Sequence, residues 1–354
     1  VLTDITRQQE IKANLYLTLL QKREENAITL AATADNSRVV EEPRAVRLVA
    51  PNKRNIYAMA FVVGLLFPIA CVWLSLKLRF KIEGRADVEK LTDVPIVGDI
   101  PQVKDHGESA VVVSENKNGV MEEVFRNVRT NLQYMLQDDE KVILVTSTTP
   151  GEGKSFTAAN LATSFALMDR KTLIVGMDIR KPALNKIFNL PKEASGITRY
   201  LASPKGLDVL SLCQRSALSP NLYVLPVGEI PPNPTELVAR KSLDEAFAQL
   251  RQHFDYIIID SAPMGVVTDT RLIARVADIC AYICRADYTR KSDFELINDL
   301  KREKKMPLLC VLVNGIDMDK RKNGYYYGYG KYGRYGKYAY GKKYGHGYGY
   351  GKEE

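Results

Sequence analysis

Residues 148–155 read Thr-Thr-Pro-Gly-Glu-Gly-Lys-Ser, a run whose residue types suit the holding of a phosphate chain. Gly151 and Gly153 let the backbone curl so that successive N–H groups converge on an anion. A helix starting there adds the positive end of its dipole. Lys154 brings an ammonium to the outer phosphates, and Ser155 brings a hydroxyl able to hold the accompanying Mg²⁺. The loop departs from the usual pattern at its first position, where Thr148 stands in place of glycine. Two apolar runs downstream end in carboxylates, Tyr256-Ile257-Ile258-Ile259-Asp260 followed by Ser261-Ala262-Pro263, and Leu173-Ile174-Val175-Gly176-Met177-Asp178 followed by Ile179-Arg180. A carboxylate at the carboxyl end of a strand is placed to hold Mg²⁺, directly or through water. The expected nucleotide cradle is therefore Thr149, Pro150, Gly151, Glu152, Gly153, Lys154, Ser155 and Phe156, with ATP as the nucleotide. Ser155, Asp178 and Asp260 are the expected metal ligands, and Lys154, Asp178 and Asp260 the catalytic groups. Arg180 is read as a contact to phosphate or to a neighbouring subunit. Asn314 has two readings, an approach to the adenine or an ordinary strand-end turn. Asp269 is either a second layer around Mg²⁺ or, more plainly, a helix N-cap.

Such a loop needs a strand before it and a helix after it. The apolar run Val142 to Val145 and the Ala-rich run Ala158 to Met168 provide them. Strands are expected over 141–147, 172–177, 222–227, 256–260, 279–285 and 308–314, and helices over 120–137, 153–169, 242–254, 268–276 and 291–304. The strands are continuous apolar runs, so both faces of the sheet should be covered. The pattern predicts an α/β fold, a P-loop NTPase-like domain with a mainly parallel sheet, over 109–320. Before it, Ile56 to Leu76 carries no charge and is long enough to span a bilayer, which predicts a transmembrane helix over 55–80. Pro68 is compatible with a membrane span. A nucleotide site belongs on the side where ATP is, which puts the domain after residue 80 in the cytoplasm and residues 1–54 outside. Gln8 to Ala27 has apolar residues clustering toward one helical face, and 1–54 reads as the end of a larger helical extracytoplasmic domain. Val1 is not an initiator Met, which suggests a fragment or a processed chain. Residues 81–108, charged and interrupted by Pro and Gly, read as a linker. The five cysteines form no C-x-x-C pair and read as reduced core residues, and the three scattered histidines receive no catalytic role.

The three chemical elements together resemble those of the bacterial tyrosine kinases (BY-kinases) attached to polysaccharide co-polymerases. That family carries P-G-E-G-K-S, then apolar residues and D-x-D-x-R, then D-x-x-P. This chain has Pro150 to Ser155, then Gly176-Met177-Asp178-Ile179-Arg180, then Asp260-Ser261-Ala262-Pro263. Gly176 stands where the family has its first Asp, a candidate for activating the tyrosine hydroxyl, so Asp178 is the expected orienting group. Glu123, Arg126 and Arg129 match the family's E-x-x-R-x-x-R helix, which implies subunit contacts in a ring-like homo-oligomer; a salt-bridged surface is the plain alternative. Pro231 to Leu237 resembles the family's segment before a helix, and residues 8–54 resemble the membrane-proximal end of its periplasmic domain.

The last segment, 321–354, contains eleven tyrosines at Tyr325, Tyr326, Tyr327, Tyr329, Tyr332, Tyr335, Tyr338, Tyr340, Tyr344, Tyr348 and Tyr350, set mostly among glycines. With almost no aliphatic residues it cannot build a core and is expected to be disordered. It is read either as an aromatic, RNA-stacking low-complexity tail or as the phosphoacceptor cluster that ends BY-kinases. The upstream motifs favour the second, with no nucleic-acid partner. The resemblance implies an ATP-dependent tyrosine autokinase that phosphorylates its own tail, inserted into a neighbouring subunit's site. It further implies the bacterial inner membrane, control of capsular or exopolysaccharide assembly and export, polysaccharide polymerase or export proteins as partners, and a tyrosine phosphatase. Two alternatives remain at this point. One is a partitioning or septum-positioning P-loop ATPase, although Thr149 occupies the place of that group's signature lysine. The other is an ATP-binding membrane scaffold that regulates polysaccharide chain length without kinase activity.

Overall fold

The structure is a computed structural model and describes residues 2–32, 52–77, 79–102, 110–115, 119–191, 194–304 and 306–318. The eleven tail tyrosines and the stretch 33–51 lie outside the described residues. The chain divides into two units after Leu74. The first contains α1 (Leu2–Ala32) and most of α2 (Lys53–Lys77). Within α2, the 22 residues Lys53–Leu74 make a helix long and apolar enough to cross a membrane, and their side chains are exposed. Pro68 lies inside this helix.

The second unit runs α3 (Arg85–Leu91), β1 (Ile96–Pro101), α4 (Val120–Met135), β2 (Val142–Ser147), α5 (Lys154–Ala166), β3 (Thr172–Met177), α6 (Leu184–Ile187), α7 (Ile197–Ala202), β4 (Gln214–Arg215) and β5 (Leu222–Leu225). It continues through α8 (Pro234–Ala239), α9 (Ser242–His253), β6 (Tyr256–Ser261), α10 (Asp269–Ile273), β7 (Ile279–Arg285), α11 (Phe294–Glu303) and β8 (Leu308–Ile316). The sheet order is β1-β8-β7-β2-β6-β3-β5-β4, parallel throughout except for the short β4. Its strands are buried along nearly their whole length because alternate residues feed two cores. Val142, Leu144, Leu173, Val175, Ile257 and Ile259 face a core closed by α7, α9 and α11. Ile143, Val145, Ile174 and Ile258 face another, closed by α4 and α5 through Phe125, Leu132, Leu161 and Phe165. Phe165 stacks on Tyr256 with ring centroids 4.2 Å apart. The six expected strands and five expected helices are present, with ends shifted by a few residues at most.

One expectation is corrected. The segment read as a linker is folded from its start: Ile82, Val88 and Val94 are buried, α3 forms at Arg85, and β1 pairs in parallel with β8. The reason is non-local. Gly98 in β1 allows close approach of α4, where an added Cβ would lie 2.5 Å from Val128 Cγ2, and Asn131 Nδ2 donates to the Val97 carbonyl at 2.7 Å. Phe80 to Ile82 also lies along 287–291, with Ile82 N–H donating to the Thr289 carbonyl at 3.0 Å and Lys291 N–H to that of Phe80 at 2.7 Å.

At the opposite end of the sheet Asp278 accepts from the Lys141 and Val142 amides, both at 2.8 Å, and from the Arg251 fork at 2.7 and 2.8 Å. Burial alone would raise its pKa. The guanidinium and the two amides outweigh that and hold the carboxyl below its ordinary range. A depressed folded pKa contributes stability that is fully present above about pH 4 and is lost as pH falls through the lower folded value. Replacing Asp278 by Asn should cost about 2 kcal/mol at pH 7. The gap between variant and parent should close toward pH 3, read from hydrogen-exchange protection of β2; a gap independent of pH would contradict the assignment.

Candidate nucleotide site

The site forms where β2, β3 and β6, neighbours at the middle of the sheet, present their carboxyl ends. Chain order reverses here: β3 and β5 lie on one side of β2, and β7 and β8 on the other. Open α/β sheets bind ligands at such a switch point. The loop 148–153 leaves β2 and enters α5, whose first residues are Lys154 and Ser155. Gly153 has φ 96°, the left-handed region, and an added Cβ would sit 2.1 Å from Asn314 Nδ2, so a side chain is excluded on both counts. The start of α5 leaves N–H groups without intrahelical partners, aimed where an anion would sit.

Lys154 is buried, and its charge acts on both Asp178 and Asp260. The register pairs Gly176 with Asp260 and Met177 with Ser261, so Asp178 emerges one step beyond β3, beside the end of β6. Burial pushes the Asp260 carboxyl up to about 7, against the lowering effect of the Ser155 hydroxyl and Lys154; Asp178 raises it further. Burial likewise raises Asp178, whose Oδ1 accepts from the Lys181 amide at 3.0 Å. The described residues hold no cluster of three or more His, Cys, Asp or Glu side chains that would bind a metal alone. Asp260 Oδ1 is nevertheless buried without a hydrogen-bond partner, a position a cation would satisfy. The residues fit Mg²⁺ of the kind that takes one or two carboxylates and completes its shell with phosphate oxygens and water.

Lys154, Ser155, Asp178 and Asp260 thus come together, while the other singled-out residues, Arg180, Asp269, Asn314, Glu123, Arg126 and Arg129, have partners within the chain. Arg180 Nε donates to Asp269 Oδ2 at 2.9 Å, and Thr235 Oγ1 donates to Asp269 Oδ1 at 2.6 Å. Asp269 makes no cap; it is the buried acceptor that fixes Arg180 and the start of α8. Asn314 Nδ2 donates to the Glu152 carbonyl at 2.8 Å and so supports the loop backbone. In α4, Glu123 and Arg126 pair on the surface, whereas Arg129 donates to the Ser164 carbonyl at 2.6 Å and ties α4 to α5. Glu152 is fully buried, with Oε2 accepting from the Thr149 amide at 2.8 Å and Oε1 from the Thr289 hydroxyl. Tyr288 and Arg285 donate to the Pro150 and Gly151 carbonyls at 2.8 and 2.9 Å. No motif marks Arg285, Tyr288 and Thr289; their one signal is that they lie at or just after the carboxyl end of β7, a strand next to β2.

The fold and this loop define a P-loop nucleotide-binding protein. The GNVR (G-rich domain) family model matches residues 1–75, and the AAA domain model AAA_31 matches residues 140–305. The chain is 34% identical over 211 residues to the tyrosine-protein kinase CpsD of Streptococcus pneumoniae, covering 60% of this chain and 91% of that one. Over 346 residues it is 26% identical to the tyrosine-protein kinase wzc of Salmonella typhimurium, covering 93% of this chain and 47% of that relative, so it spans about half that protein's length. The crystal structure of the chimerical protein CapA2B2 matches with a TM-score of 0.58 at 30% identity, covering 64% of this chain and 97% of that one. The chain belongs to the bacterial tyrosine-kinase (BY-kinase) family of capsular polysaccharide biosynthesis, and it is a tyrosine-protein kinase.

Proposed function

We propose that the chain uses Mg·ATP to phosphorylate the tyrosines of its own tail, in trans, within a ring-like homo-oligomer at the bacterial inner membrane. The observation that carries this reading is the meeting of Lys154, Ser155, Asp178 and Asp260 around one helix start. Loop amides and Lys154 bind and orient the phosphates. Ser155 and Asp260, with Asp178 nearby, would hold Mg²⁺, which when bound neutralises phosphate charge. Transfer of a phosphoryl group depends mainly on positioning and charge neutralisation. Asp178 orients the tyrosine hydroxyl and takes its proton; a carboxyl raised by burial is better matched to that task than an ordinary one. Gly176 supplies no second acid, and an added Cβ there would meet Val227 Cγ2 at 3.1 Å and Leu184 Cδ1 at 3.3 Å, so the local packing suits glycine.

On this reading α2 anchors the chain, residues 1–54 end an extracytoplasmic domain, and the folded unit that begins near residue 80 and includes α3 and β1 forms the cytoplasmic kinase domain. The tail from 321 carries five basic residues between Tyr325 and Tyr350, namely Lys331, Arg334, Lys337, Lys342 and Lys343. Each phosphotyrosine adds about −1.5 to −2 charges, so roughly three cancel that positive charge. Further modification repels the tail from the acidic, phosphate-bearing site and loosens the ring. Through that cycle, reversed by a tyrosine phosphatase, the protein controls assembly and export of a capsular or exopolysaccharide together with polymerase or export proteins. Mass spectrometry of the tail after incubation of the full chain with Mg·ATP should find phosphate on several of Tyr325 to Tyr350. Nucleotide uptake with an unmodified tail would instead favour the non-catalytic scaffold.

A further inference from the structure

Four consecutive residues of the phosphate loop have backbone groups held by side chains, Thr149 from within the loop and the next three from outside it. The Thr149 amide is bound by the Glu152 carboxylate, the Pro150 carbonyl by Tyr288, the Gly151 carbonyl by Arg285, and the Glu152 carbonyl by Asn314. Three side chains that reach the loop, Arg285, Tyr288 and Thr289, come from one turn, 285–289, at the carboxyl end of β7. Thr289 is the buried centre of that turn, 1% exposed. Its hydroxyl oxygen accepts the Arg285 amide proton at 2.8 Å, and its own single proton goes to Glu152 Oε1. A carboxylate as buried as that of Glu152 needs donors on both oxygens, and Thr149 N–H and Thr289 O–H supply them.

We infer that Thr289 is a positioning residue for nucleotide binding, acting through Glu152 to keep the loop in its receiving shape before the nucleotide arrives. This rests on reading 148–155 as the nucleotide site. A loop already ordered spares the ligand the cost of ordering it, and losing that order weakens binding rather than the chemical step. The Thr289 carbonyl receives Ile82 N–H through the backbone, so changing the side chain leaves that link in place.

The test is steady-state kinetics and Mg·ADP titration of the full chain in detergent micelles, comparing parent, Thr289→Val and Thr289→Ser. Val keeps the β-branched shape and removes the hydroxyl; Ser restores it. Loss of one hydrogen bond to a charged acceptor should raise the KM for ATP and the Kd for Mg·ADP about tenfold. The kcat at saturating ATP should stay within about twofold, and Ser should recover most of the affinity. Glu152→Gln should also weaken binding, and combining it with Thr289→Val should add little, because both remove one link. If Thr289→Val fails to fold, Thr289→Ala compared with Thr289→Ser carries the same expectation. Unchanged nucleotide affinity in Thr289→Val beside a parent that binds normally would overturn this inference alone, as would equal losses in Val and Ser. A parent that takes up no Mg·ADP would overturn the site reading as well.

Discussion

Replacing Lys154 by Met should abolish tail phosphotyrosine while leaving the domain folded. The side chain sits at the first position of α5, 7% exposed, with Asp178 and Asp260 as its charged neighbours. Methionine is unbranched and similar in length, so packing is largely retained. The loss is electrostatic and has two parts. The ammonium that meets the phosphates disappears, and Asp260, already pushed up by burial, loses a neighbour that favours its charged form. Removing one oriented group that stabilises developing charge typically costs about 10²–10³ in rate, and here the same group also binds the ground state. Phosphotyrosine should fall by at least about that factor, with an unfolding midpoint within a few degrees of the parent. Retained phosphorylation in the purified variant would contradict the role given to Lys154.

The largest effect on stability is expected far from the chemistry, at Gly196. This residue precedes α7 in an extended conformation, so its need is for space, not for unusual backbone angles. A Cβ added there would lie 2.2 Å from the Pro226 carbonyl oxygen and 2.4 Å from both Gly228 N and Val227 C. All three are backbone atoms, which no rotamer change can move. The same backbone receives the Ile197 and Thr198 amides at 2.9 and 3.0 Å, and those bonds seat Ile197 and Leu201 in the core. Gly196→Ala must either break them or push 226–228 away from the end of β5. Overpacking of this kind, combined with lost backbone hydrogen bonds, should cost about 3–5 kcal/mol. For a domain of this size that lowers the unfolding midpoint by about 10 °C. A midpoint unchanged to within two degrees or so would contradict the close packing of Gly196 against 226–228.

What could be read from sequence follows from how local each signal is. The phosphate loop, its flanking strand and helix, and the two strands ending in Asp178 and Asp260 are contiguous runs, and the structure folds them as expected. β1 was missed because its six residues include Gly98, Asp99 and a terminal Pro101, poor strand formers by local preference. It is a strand because β8 and α4, distant in sequence, offer it an edge and a cover. The support of the loop was missed for the same reason: Thr289 and Glu152 are separated by 137 residues, and Asn314 and Glu152 by 162. Arg180, Asp269 and Arg129 show the converse. The sequence leaves Arg180 open to a phosphate or a neighbouring subunit, Asp269 to a second layer around Mg²⁺ or a helix cap, and Arg129 to a subunit contact or a salt-bridged surface; the fold supplies each with an intramolecular partner. A charged residue near a motif marks where charge is concentrated; which group it meets depends on which elements pack beside it.

The most direct test of the whole picture is calorimetric titration of the full chain with ADP, with and without Mg²⁺, in the parent and in Asp260→Asn. The parent should take up one nucleotide per chain with clearly higher affinity when Mg²⁺ is present, and the variant should lose most of that metal dependence while still folding. No uptake by a folded parent, or identical uptake with and without the metal, would contradict the assignment of residues 148–155 and Asp260 to a Mg·nucleotide site.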